Sequence, residues 1–143
     1  MVDPDVVARR LLSLREALDA LGRREAGDAA ALAADVVLRA AVERWLQVAI
    51  ESCIDIASHV VSDEGWTPVD SGRAAFLSLA SHGRISMDLA QRLARASAMR
   101  NVLVHDYVDI DLAILARTVR EDLADLRAFG AAAGEWLASA APT

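Results

Sequence analysis

Five apolar residues near the N-terminus, Val7, Leu11, Leu14, Leu18 and Leu21, recur at steps of four, three, four and three. That spacing draws one stripe down an α-helix and does not suit the two-residue period of a strand. Asp3-Pro4 is a start signal for it, with Asp as N-cap and Pro at the first helical position. The period returns behind Ser86 in Leu89, Leu93, Ala96, Met99 and Leu103, and behind Asp109 or Asp111 in Leu112, Leu115, Val119, Leu123 and Leu126. A shorter segment with Phe76, Leu77 and Leu79 is capped by Asp70 or Ser71 and stops at Gly83. Between these, one helix is predicted from about Ala29 to Val61, roughly 30 residues and about 45 Å long. Its apolar positions, from Val37 and Leu38 through Trp45, Ile50 and Ile56 to Val60, cover more than one stripe. Such a face implies burial on two sides, in the bundle or against a second subunit. The prediction is an all-α, antiparallel bundle of four to five helices in one domain over 1–143, with an Ala-rich tail from about 131.

Composition narrows the function. Apolar residues make up 55% of the 143 and aromatics only 4%, so the core is aliphatic and there is room for one domain. A lone Cys53 cannot form an internal disulfide, and three scattered His offer no metal-ligand spacing. The N-terminus lacks the pattern of a signal peptide and no window suits a membrane span, so a soluble, cytoplasmic protein is expected. The net charge of −6 argues against a polyanion partner at first sight. From Ser71 to His105, however, Arg73, Arg84, Arg92, Arg95 and Arg100 face one acid, Asp88, a local +4 that leaves −10 on the rest. All fifteen cations are Arg, which fits bidentate phosphate contacts and also a biased genome.

Within that basic segment lies Arg100-Asn101-Val102-Leu103-Val104-His105-Asp106-Tyr107, an R-x4-H-x-Y pattern holding the only Tyr of the chain. It joins a permanent cation, a group that titrates near neutrality and a phenol, a set suited to phosphodiester chemistry. Val102, Leu103 and Val104 embed it in an apolar, helix-like run, where polar groups need a reason. Structural roles would also account for it: Arg100 as a helix C-terminal cation, His105 as a half-buried histidine and Tyr107 as an amphipathic rim residue. His59 and His82 are read as ordinary. Glu43, Glu51 and Asp55 share one side of the long helix and either line a site, pair with Arg or face solvent.

The pattern resembles the R-x4-H-x-Y signature of the HEPN superfamily, in particular its HepT-like toxins, which are encoded beside minimal nucleotidyltransferase antitoxins. The segment Arg39-Ala40-Ala41-Val42-Glu43-Arg44-Trp45-Leu46-Gln47 with Glu51, Asp55-Ile56-Ala57 and His59 is similar to the family's long second helix, and Phe76-Leu77 with Gly83 to its short third one. The resemblance implies a ribonuclease that needs no metal or cofactor, with a composite site across a homodimer. On one straight helix Arg100 and His105 would stand about 140° apart, at 100° per residue. A dimer would supply the convergence. His105, with a reference pKa of about 6.5, would serve as general base or acid. Arg100 would stabilise the pentacoordinate phosphate, and Asn101 would hold the imidazole or the phosphate. Arg73, Arg84, Arg92 and Arg95 are the candidate RNA contacts. Tyr107 would be the residue that an MntA-like nucleotidyltransferase partner modifies with AMP, adding anions where RNA phosphate must bind. The alternative is a non-catalytic helical adaptor that binds nucleotide through the same Arg and His beside such an enzyme.

Overall fold

A computed structural model describes residues 3–105 and 110–140, with the backbone alone for His105 and Ala140. Tyr107 and the His105 side chain therefore lie outside the described residues. Among those described, the order is α1 (Pro4–Leu21), a single 3-10 turn (Arg24–Gly27), α2 (Ala29–Ala34), α3 (Val36–Asp63), α4 (Gly72–Ser81), α5 (Met87–His105) and α6 (Leu112–Ala140).

Most helices begin where a short polar side chain can take a free backbone N–H. Asp3 accepts from Asp5, Ser71 from Ala74, Ser86 from Leu89, and Asp111 from Ala113. The single helix expected from Ala29 to Val61 is two. Asp35 has an extended backbone, φ −137° and ψ 103°, and its carboxylate accepts from Val37 and Leu38. An Asp that caps a new helix outcompetes continuation of the Ala-rich one before it, whose six residues are a marginal length. Val36 and Val37 are consequently exposed and add nothing to the core. Beyond Ala131 the chain is not a tail either. α6 runs on to Ala140, with Ala133 fully buried and Trp136 edge-on to Phe129 at 5.8 Å.

α3 is the central strut, packed by α1, α4, α5 and α6. Its broad apolar face is thus used up within one chain: Leu46, Ala49, Cys53, Ile56 and Val60 are all fully buried. The width of that face gives no reason to invoke a second subunit. Pairings along α3 set the helix directions. The Asp3 N–H donates to Asp63 at 2.8 Å and to His59 at 3.2 Å, so α1 runs antiparallel to α3. Glu51 faces Arg100 while Glu64 meets Arg84, so α5 does as well. Gly72 is needed at the start of α4, because a Cβ there would lie 2.8 Å from the Ile54 side chain. That close approach brings the N-terminus of α4 down beside α3 and α5, where the site lies.

Candidate functional site

The last two turns of α5 stand at the surface. Asn101 is exposed, Val102 is 40% exposed, and Leu103 and Val104 are half-buried, with Leu103 packed against the core as its place in the apolar stripe of α5 predicts. Arg100 points from α5 toward α3. Its Nε lies 3.4 Å from Glu51 Oε1, and its Nη1 donates to Asn101 Oδ1 at 2.9 Å.

Beside this pair opens a cavity of about 720 Å³, lined by Ile54 and Ser58 of α3, Asp70 to Arg73 at the start of α4, and Ser97, Arg100 and Asn101 of α5. Arg73, Arg100 and several hydroxyls surround one opening, where they can offer an anion charge-assisted hydrogen bonds; among the described lining residues Asp70 is the only carboxylate, and Glu51 stands beside the lining on Arg100. The first N–H groups of α4 add their dipole on the same side.

Of the five arginines in the basic segment, the structure brings two together, Arg73 and Arg100. The other three lie elsewhere, and two of them, Arg84 and Arg92, are held in ion pairs. Arg84 pairs with Glu64 at 3.1 Å and lies 5.7 Å from the ring centre of Trp66 and 5.9 Å from that of Trp136. Arg92 donates to Asp125 at 2.9 Å, and with Arg95 it lines a groove on the α6 side of α5 together with Glu121 and Asp122. The local +4 is thus dispersed over three faces.

The acidic edge of α3 has divided roles. Glu43 sits 3.9 Å from Arg39, one turn away. Asp55 faces Arg10 of α1 at 3.4 Å. Burial pushes its carboxyl above the ordinary range; Arg10 opposes this, Glu51 adds to it and Arg100 opposes it again. Glu51 is the one that reaches the motif, a contact the helical spacing allowed without distinguishing it from solvent exposure. Ser58 and Ser97 had no signal at all, because isolated serines on amphipathic helices are common. His59 and His82 have structural roles: His59 accepts the Asp3 N–H, and His82 stacks on Trp66 at 3.7 Å.

A small helical bundle with an Arg-x4-His motif closing one helix over an anion-receptive cavity is a HEPN-type domain. The family model for ribonuclease HepT-like proteins matches residues 14–132, and the chain belongs to that family. It is 28% identical over 125 residues to the mRNA nuclease HepT of Shewanella oneidensis, covering 87% of this chain and 93% of that one. To the tRNA nuclease HepT of Aphanizomenon flos-aquae it is 30% identical over 115 residues, covering 77% and 75%. Among solved structures, the tri-AMPylated Shewanella oneidensis HEPN toxin in complex with MNT antitoxin superposes with a TM-score of 0.81 at 27% identity, over 92% of this chain and 98% of that one. A toxin-antitoxin structure with AMP-PNP superposes with a TM-score of 0.80 at 26% identity, over 90% and 98%.

Proposed function

We propose that this chain is the RNA-cleaving toxin of a two-component toxin-antitoxin system. Arg100 carries the reading: a motif cation that is held by Glu51 and Asn101 and opens, with Arg73, on a polar cavity. RNA phosphate occupies that opening. His105 takes the proton of the 2′-hydroxyl as the oxygen attacks phosphorus, or returns one to the departing 5′-oxygen; the product is a 2′,3′-cyclic phosphate. Arg100 offsets the charge that builds on the phosphoryl oxygens as the fifth bond forms. The chemistry proceeds on side chains alone, without a metal.

The site is completed by a second copy of the chain. Arg100 and His105 are separated by more than a quarter turn on α5, and two-fold symmetry lets each motif face its counterpart. Val102 and Ile114, 40% and 41% exposed, supply apolar surface for that contact.

Tyr107 is the control point. An antitoxin nucleotidyltransferase transfers AMP from ATP to the phenol oxygen, releasing pyrophosphate, and the adenylate blocks the phosphate opening. The likeness to a tri-AMPylated HEPN toxin supports this. The test of activity is incubation of the purified chain with RNA in EDTA: cleavage leaving cyclic phosphate ends is expected, and dependence on added divalent metal would contradict the mechanism. An adaptor without catalysis would bind nucleotide and leave RNA intact in the same assay.

A further inference from the structure

The Arg100 guanidinium is gripped from two sides before any substrate arrives. Its Nε is sealed from solvent and makes no hydrogen bond among the described residues. The Glu51 carboxylate at 3.4 Å compensates it by charge, without the alignment of a hydrogen bond. The same Glu51 oxygen accepts from Gln47 Nε2 at 3.4 Å, one turn earlier on α3, so Glu51 is itself steadied. Asp55, one turn later, is drawn instead to Arg10 of α1. Of the three carboxylates on the acidic edge of α3, Glu43, Glu51 and Asp55, Glu51 is the one paired with the motif.

Arginine carries five N–H donors in a rigid fork. With Nε turned to Glu51 and one Nη1 proton on Asn101, the donors left are those of Nη2 and the second Nη1 proton. We infer that Glu51 is a positioning residue, which draws the Nε edge of Arg100 onto α3 and so presents the Nη edge to the scissile phosphate. The inference rests on the ribonuclease reading above.

A carboxylate so close to a phosphate-binding cation acts in two opposed senses. It repels the incoming phosphate and weakens RNA binding, and it fixes the guanidinium and speeds the reaction. A residue that merely fastened α3 to α5 would lower stability, and activity through it, and its loss would not tighten RNA binding.

Glu51→Gln keeps the shape and removes the charge. For a short RNA oligonucleotide its kcat is expected to fall about 10- to 100-fold, the loss typical of a misplaced group. KM should not rise, and an uncleavable 2′-deoxy analogue should bind several-fold more tightly. Glu51→Asp, which restores the charge on a shorter stem, should recover part of the kcat lost. Unchanged kcat in Glu51→Gln overturns the inference. So does a loss of kcat accompanied by weaker binding of the analogue and a lowered melting temperature, which would assign Glu51 to the scaffold. Arg100→Ala in the same assay judges the ribonuclease reading separately: if it cleaves as well as wild type, that reading fails whatever Glu51 does.

Discussion

On its α3 side, α5 presents Arg100 to a single carboxylate at 3.4 Å and opens on a cavity of about 720 Å³ in which Arg73 is the second cation. On its α6 side, two turns earlier, Arg92 and Arg95 line a groove of about 460 Å³ with Glu121, Asp122 and Asp125, and Arg92 is tied to Asp125 at 2.9 Å. The residue type is the same, but the balance differs. On the first face Arg73 and Arg100 are balanced by Asp70 and Glu51, and Arg73 has no ion pair among the described residues; in the second, three carboxylates outnumber two arginines. Counting arginines along a segment therefore overstates its attraction for a polyanion. What matters is which acids the neighbouring helices bring to each one.

The largest test of this contrast is at the motif. Arg100→Ala and His105→Ala should each reduce RNA cleavage by about 10²- to 10⁴-fold and relieve growth inhibition, with the helical circular dichroism spectrum intact. A folded His105→Ala that remains toxic would remove the proton-transfer role. Tyr107→Phe should go the other way: cleavage close to wild type, but no mass gain in adenylyl multiples when mixed with partner and ATP, and no neutralisation. If the partner silences it to the wild-type extent, steric binding alone explains inhibition.

A middle-sized effect separates the two faces directly. Arg73→Ala should weaken RNA binding several-fold and reduce the salt dependence by about one phosphate contact. Arg92→Ala should change affinity less than about twofold, since its charge is already matched by Asp125. Equal losses in both variants would show that RNA runs across the α6 face as well, and would restore the whole segment as its footprint.

The smallest effect concerns stability. Burial, and after it the neighbouring carboxylates of Asp125 and Glu121, push Asp122 up to about 6 against the pull of Arg95. Between about pH 4 and 6 the folded chain holds a proton that the unfolded chain releases. Stability therefore falls as pH rises through that window and levels off above it. Asp122→Asn removes this penalty. At pH 7 it should stabilise the fold by about 1 kcal/mol once solvent screening is discounted, raising Tm by about 2–4 °C. Below about pH 3.5, where wild-type Asp122 is protonated in both states, the gain should vanish. A gain that persists there would place the effect in packing, and the groove would no longer count as electrostatically frustrated.

Local chemistry made much of the fold legible. A stripe at steps of three and four, an N-cap Asp before Pro4, and Ser71, Ser86 and Asp111 at later helix starts each act within one turn, so reading along the chain finds them. The break at Asp35 belongs to the same class but was masked, because the alanines before it and the valines after it both continue a helical pattern. The length of α6 was hidden for another reason. Gly130 and Gly134 look like breakers, yet both face α1, where a Cβ at Gly130 would meet Leu14 at 3.2 Å. There the missing side chain serves a close helix contact, and tertiary packing overrides the low helix propensity of glycine.

For the site, the residues proposed to carry the chemistry were named by their order alone: Arg100, Asn101, His105 and Tyr107 lie within eight positions, and their types suit phosphodiester cleavage. Their partners were not. Glu51 lies 49 positions before Arg100 and Asp125 lies 33 after Arg92, and whether an arginine is free or neutralised depends on those distant carboxylates. The sequence by itself determined the helical period, the caps and the identity of the motif, because these are set by covalent neighbours within a few residues. The tertiary structure alone decided which carboxylate faces which arginine and where the cavity opens, because Coulomb interactions act through space between helices that the chain keeps far apart.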